Sequence, residues 1–251
     1  MVLAWGQPVN TPERPPGYLT SAQTASVINV VPPAPVAGDA RYEADMAIFH
    51  ATRSFEGSPR WTLSQSDDKL SIPAVMETFR CVLGRALTPE KAPKLAKLIG
   101  RAYSDVWPAA NAIKLRYQHK RPFQVSEGNI CLSTQGKAAL EKSPDYPSGH
   151  AALSWETGLI LAELVPEAAI DILARARAFG QSRVVCGVHN ASAVEAGWMT
   201  ATVVFALQQS SPAFHADLEA ARSEVATLRV DARPKSESCV LESKTLSENP
   251  Y

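Results

Sequence analysis

Leu95, Leu98, Ile99, Ala102, Tyr103 and Val106 recur at steps of three, one, three, one and three. That spacing lays them along one face of a helix and is incompatible with the alternation of a half-buried strand. Helical patterning of this kind runs from Gly38 to about residue 230. Segments read as helices at Asp39–Arg53, Ile72–Leu87, from Thr88-Pro89-Glu90 through Pro108 (where a kink is expected) to Tyr117, and then at His150–Leu164, Glu167–Phe179, Ala193–Gln208 and Pro212–Leu228. No β alternation, internal repeat or second core interrupts them. The expected fold is all-α, a single-domain helical bundle over residues 38–230. Seven prolines among the first 35 residues make 1–37 an extended arm, because proline fixes φ and removes a donor. The arm either lies over its own subunit or reaches a neighbour, and a homo-oligomer, a dimer or larger, is expected. Residues 231–251 are polar and read as a mobile tail.

Composition narrows the function. Lys and Arg number 25 and balance 25 Asp and Glu, which argues against a basic nucleic-acid surface and against an acidic tail. Hydrophobic residues make up 45% of the chain, yet no apolar run approaches the ~18 residues of a membrane helix. Neither nucleic acid nor a membrane is an expected partner. Met1 is followed by no charged n-region and no long apolar h-region, so no signal peptide is read; a mature exported enzyme given a new Met would look the same. Cys81, Cys131, Cys186 and Cys239 lack zinc spacing and allow three disulfide connectivities, or four free thiols.

Three short blocks carry chemistry: Lys114 to Arg121-Pro122, Pro147-Ser148-Gly149-His150, and Ser182-Arg183 to His189. Each alone reads as an ordinary helix end, cap or surface group. Together they suit a phosphate monoester, a dianion whose transfer spreads charge over three oxygens. Lys114, Arg121 and Arg183 supply three cations, the arginines in bidentate form. Ser148 and Gly149 begin a helix, where free N–H groups favour an anion, and Gly149 leaves room for close approach. His150 and His189 remain for acid, base and nucleophile. His119 and Lys120 read as a solvated flank. His50 and His215 have no assigned role, and Trp155, Trp198 and Phe205 read as core.

Lys-x6-Arg-Pro, Pro-Ser-Gly-His and Ser-Arg-x5-His in this order resemble the signature of the type 2 phosphatidic acid phosphatase superfamily. The helical pattern, together with Pro32-Pro33-Ala-Pro35 through Asp45 and Arg53, Pro59-Arg60-Trp61 and Gly180-Gln181-Ser182-Arg183, is similar to the class A bacterial non-specific acid phosphatases over roughly residues 15–230. The resemblance implies a periplasmic enzyme that hydrolyses small phosphate monoesters without metal or other cofactor. It further implies that Lys114, Arg121 and Arg183 bind the phosphoryl oxygens, assisted by Ser148 and Gly149. His189 would become a phosphohistidine, and His150 would protonate the leaving alcohol and then activate water.

One position departs from the pattern. The family continues His-x3-Asp, and here Ala193 stands at the acid's place. An acid there would fix the imidazole tautomer and stabilise its positive charge. Glu195 does not replace it, because Ser192 and Glu195 read as a capping box. The expectation is therefore an intact cage with a weakened or inactivated nucleophile. An engineered substitution and a naturally weakened enzyme both account for it, and the intact cage favours the first. Three other activities fit the same blocks: a vanadate-dependent haloperoxidase with vanadate on His189, a non-catalytic phosphate-ester binding protein, and phosphotransfer to an alcohol or nucleoside through the same intermediate.

Overall fold

The computed structural model describes residues 15–228 and 236–251. The expectations for residues 1–14 and 229–235 lie outside them. In chain order the helices are α1 (Ser21–Ser26), α2 (Ala40–Thr52), α3 (Pro59–Ser66), α4 (Ile72–Thr78), α5 (Arg80–Leu83), α6 (Pro93–Tyr117), α7 (Pro122–Val125), α8 (Thr134–Glu141), α9 (Gly149–Leu164), α10 (Ala169–Val185), α11 (Ala191–Gln208), α12 (Pro212–Thr227) and α13 (Glu237–Leu246). No strand occurs among the described residues, so the fold is all-α. None of their helices is long and apolar enough to cross a membrane.

Helix α9 is the centre. It packs against α10, α11, α6 and α12. Ala151, Ala152, Leu153, Ile160, Leu161 and Leu164 are buried on its different sides, the composition of a helix surrounded by protein. Helix α6 lies beside it and is amphipathic. Its apolar face runs from Leu95 through Val106 to Ile113, all fully buried, and ends on Lys114. The periodicity that identifies the helix therefore also carries an ammonium into the interior. α11 crosses the start of α9 closely. A Cβ at Gly197 would lie 2.5 Å from the Ser148 carbonyl oxygen, so only glycine permits that approach.

Several local expectations change. Thr88-Pro89-Glu90 forms a turn, with the Lys91 and Ala92 amides on the Thr88 carbonyl, and α6 starts at Pro93, also a favoured first position. As expected, α6 runs on past Pro108 to Tyr117. The segment 72–87 divides into α4 and α5. α10 extends six residues beyond Phe179 to Val185, so Arg183 lies on a helix. Part of the arm is helical: α1 is closed by a Thr20–Gln23 capping box. The arm also lies on its own subunit, where the Pro15, Pro16 and Gly17 carbonyls accept from Ser104 and Arg101.

Within the polar tail, the described residues include helix α13. Cys239 on this helix is bonded to Cys81, and Glu242 pairs with the buried Arg175 at 3.3 Å. The second disulfide joins Cys131 to Cys186. Closing loops with separations of 158 and 55 residues limits the unfolded chain by about 5 and about 4 kcal/mol in the loop-entropy model. The mostly exposed α13 is thus held covalently to the rest of the fold.

Candidate active site

All three blocks converge where the first turn of α9 meets the end of α10 and the start of α11. Ser148 is the N-cap of α9: its Oγ accepts from the Ala151 amide at 3.3 Å, and its own amide donates to the Ala193 carbonyl at 2.8 Å. The first-turn amides of a helix have no intrahelical partner, so those of Gly149 and His150 are left facing outward at the positive end of the helix. A Cβ at residue 149 would meet only Trp107, at an ordinary 3.6 Å.

Arg183 is fully buried on the last turn of α10. Its Nη2 donates to Asp68 Oδ1 at 2.6 Å, while Nε and Nη1 have no hydrogen-bond partner. Asp68 is on the turn after α3. Its neighbour Asp67 braces that turn through Arg175 at 2.7 Å and the Ser182 hydroxyl at 2.6 Å. Ser182 of the third block thus holds the turn and faces away from the cage. His150 is partly exposed, with Nε2 3.1 Å from the Asp68 carbonyl and 3.5 Å from its carboxylate. Arg121, the N-cap of α7, is buried and anchored by Nε on the Ser143 carbonyl at 2.8 Å. Its Nη1 donates to the Val188 carbonyl at 2.6 Å and lies 3.2 Å from His189 Nε2. Lys114 Nζ donates to the Pro144 and Asp145 carbonyls.

His189 follows a tight turn out of α10. Gly187 makes the turn with φ of +78°, and a Cβ there would strike the Arg53 guanidinium at 2.5 Å. That guanidinium donates to the Val184 and Val185 carbonyls at 3.0 and 2.7 Å, capping the helix end. The nearby Cys131–Cys186 bond fixes the same segment. His189 points Nε2 at Arg121 and Nδ1 at Asp145 Oδ1, 2.7 Å away.

Asp145 is the residue that sequence reasoning missed. It corrects the expectation that His189 lacks an acid partner: Ala193 is buried at the start of α11, but a carboxylate reaches the imidazole from the loop before α9. The signal was an Asp three residues before Ser148 in a chain lacking the usual one. Two further readings are corrected. Ser192 is no N-cap, since Asn190 holds that place and Ser192 bonds to Asp45 through both its amide and its hydroxyl. Glu195 is exposed, so it remains outside the site for a different reason. His119 is no solvated flank, because its Nδ1 lies 3.3 Å from Asp145 Oδ2; Lys120 is exposed. Among the described residues no group of three or more His, Cys, Asp or Glu is placed to hold a metal ion.

The electrostatics are set by burial and by three neighbouring cations. Burial, then the charge of Arg121, pushes the Lys114 ammonium down to about 7. Burial takes the Arg121 guanidinium down to about 10 and also lowers Arg183. His189 is pushed down to about 3 by burial and by Arg121, against the pull of Asp145, so its imidazole is neutral even in acid. Burial, Arg183 and His189 pull His150 well below its ordinary value. An entering dianion would raise Lys114 and His150 together. At pH 8 free Lys114 is mostly neutral, so phosphate binding is expected to take up about one proton per site. Calorimetric titration in buffers of differing ionisation enthalpy measures this, and zero uptake would contradict the assignment of Lys114 to the cage.

Comparison with known proteins comes to the same place. A model of the PAP2 superfamily matches residues 100–212. The chain is 36% identical over 200 residues to an acid phosphatase of Zymomonas mobilis, covering 80% of this chain and 75% of the relative. It is 32% identical over 213 residues to a non-specific acid phosphatase of Providencia stuartii, covering 84% and 86% respectively. Against a non-specific acid phosphatase of Salmonella typhimurium it is 32% identical over 196 residues, 78% of each chain.

Proposed function

The chain belongs to the PAP2 superfamily, and from that premise we propose that it hydrolyses small phosphate monoesters through a phosphohistidine at His189. The observation that carries this reading is the buried Arg183, whose Nε and Nη1 lack any acceptor beside the open first turn of α9. Buried donors without acceptors are rare and costly. A phosphoryl group would satisfy these two, the Gly149 and His150 amides, and Lys114 and Arg121 at once.

The steps follow from the positions of the two imidazoles. The Nε2 lone pair of His189 attacks phosphorus, the ester P–O bond breaks, and His150 gives its proton to the leaving oxygen. His150 then accepts a proton from water as the water oxygen attacks phosphorus. The N–P bond breaks and phosphate leaves. An alcohol in place of water gives phosphotransfer by the same route. The incoming dianion supplies the negative charge that His150 needs in order to become protonated. The two disulfides suit an oxidising compartment and support a periplasmic location.

The test is p-nitrophenyl phosphate turnover in excess EDTA, quenched in alkali during the steady state. A phosphoryl group on His189, stable to alkali and lost in acid, is the expected result. Turnover that stops in EDTA and returns with a divalent cation would overturn it. So would a protein that binds phosphate without turnover, or one that gains only halide oxidation with vanadate and peroxide.

A further inference from the structure

We infer that Asp145 is the positioning carboxylate for His189, serving from the loop before α9 in place of an acid that the first turn of α11 lacks. The inference rests on the proposed nucleophilic role of His189 and deepens it.

The geometry is specific. Asp145 is fully buried, and its Oδ1 lies 2.7 Å from His189 Nδ1. Oδ2 accepts from Asn190 Nδ2 at 2.8 Å and lies 3.3 Å from His119 Nδ1. The Asn190 amide adds a longer contact to Oδ1 at 3.4 Å, and the Asp145 amide is fixed on the His119 carbonyl at 2.8 Å. The carboxylate is therefore held from several directions and has little freedom to rotate away. Its position selects the tautomer with the proton on Nδ1, which leaves the lone pair on Nε2 facing Arg121.

Charge points the same way. Burial opposes ionisation of Asp145, but the hydrogen bonds from His119 and His189 and the charge of Arg121 outweigh it and hold the carboxyl below its usual range. Lys114, His119 and Arg121 are the cationic or protonatable neighbours, and Asp45 faces the same cluster from α2. When the N–P bond forms, His189 becomes positive inside protein. A fixed negative charge at 2.7 Å then stabilises the intermediate more than the resting imidazole. Asp145 keeps its charge throughout and takes no proton, as the acid of a Ser-His-Asp triad does. Ala193 contributes backbone alone: its carbonyl accepts from the Ser148 amide and its own amide donates to the Asn190 carbonyl. With Asp145 present, Ala193 requires no engineered loss to explain it. A carboxylate added at 193 would bring a second negative charge into a buried space that already holds one.

The experiment compares the parent, Asp145→Asn, Ala193→Asp and the double variant. Asp145→Asn is expected to lower kcat on the order of 10³–10⁴-fold while the phosphate Kd stays within about tenfold. Ala193→Asp alone is expected to bring no gain. Added to Asp145→Asn, it is expected to recover at least about tenfold of the lost rate, since it returns a carboxylate to the Nδ1 side of the same imidazole. A loss in kcat below about tenfold, or a Kd that weakens as much as kcat, would reduce Asp145 to a brace for the loop. A double variant no faster than Asp145→Asn would overturn the equivalence of the two positions. Should Asp145→Asn fail to fold, ¹⁵N NMR of parent His189 decides: an Nδ1–H tautomer supports the inference and an Nε2–H tautomer overturns it. The parent reading fails separately, if the unmodified protein never carries phosphate on His189. Phosphohistidine formed at the parent rate in Asp145→Asn overturns the Asp145 inference alone.

Discussion

His189→Asn is expected to lower phosphatase turnover by about 10⁴-fold or more while the protein still folds and still binds phosphate. The reason lies in how little else depends on the ring. Its Nδ1 meets Asp145, which retains His119 and Asn190, and its Nε2 meets Arg121, which retains the Val188, Leu140 and Ser143 carbonyls. Removing the imidazole deletes the attacking atom and leaves Lys114, Arg121, Arg183 and the start of α9 in place. The phosphate Kd is expected to change by less than about tenfold, the pattern of an interaction made mainly in the transition state. Rate and calorimetric affinity measured on the same preparation check this. A variant that keeps more than about a tenth of the parent rate would move the nucleophile elsewhere.

His150→Asn is expected to discriminate between esters. An alkyl phosphate expels a strongly basic oxygen that needs a proton, whereas p-nitrophenolate leaves without one. General acid catalysis contributes about 10²–10⁴-fold, so the alkyl ester should lose rate near the upper end of that range and the aryl ester near the lower. The second half-reaction needs His150 as a base for either ester, so the aryl ester should show a burst of p-nitrophenol and an accumulated phosphoenzyme. Equal losses on both esters with no burst would remove His150 from the leaving-group side. The burial that makes His150 neutral at rest has a visible consequence. The proton it donates is acquired with the substrate, so kcat/KM should decline as pH rises and protons become scarce.

Much of this arrangement was legible because it is local. The stripe from Leu95 to Val106, extended by whole turns, reaches Lys114, and Ser148 before an apolar run announces a helix start. The parts that were not legible depend on distant partners. Asp145 meets His189 across 44 positions, and no spacing rule pairs them. The Ser192 hydroxyl looked like a cap because its real acceptor, Asp45, lies 147 residues away. The last segment looked loose because a polar sequence cannot announce that Cys239 will find Cys81, 158 residues earlier. Thr88-Pro89 had the chemistry of a helix start, and tertiary packing placed the helix at Pro93, a second site of the same kind.

The turn bearing Asp68 supplies the Arg183 guanidinium with an acceptor from within the chain. A carboxylate already sits on one nitrogen of Arg183, tethered there by the brace between Asp67 and Arg175. It competes with every incoming anion at the effective concentration of a short tether, which depends on geometry and not on the medium. A phosphoryl group has Nε and Nη1 of the same guanidinium available from the start, and contests only Nη2. Under the proposed reaction, Asp68 would recapture that nitrogen as product phosphate departs, so release would exchange one acceptor for another and not strand a buried cation. In the proposed phosphatase the same competitor would work against weakly held monoanions, which must match a resident carboxylate to stay, and would favour ligands of higher charge.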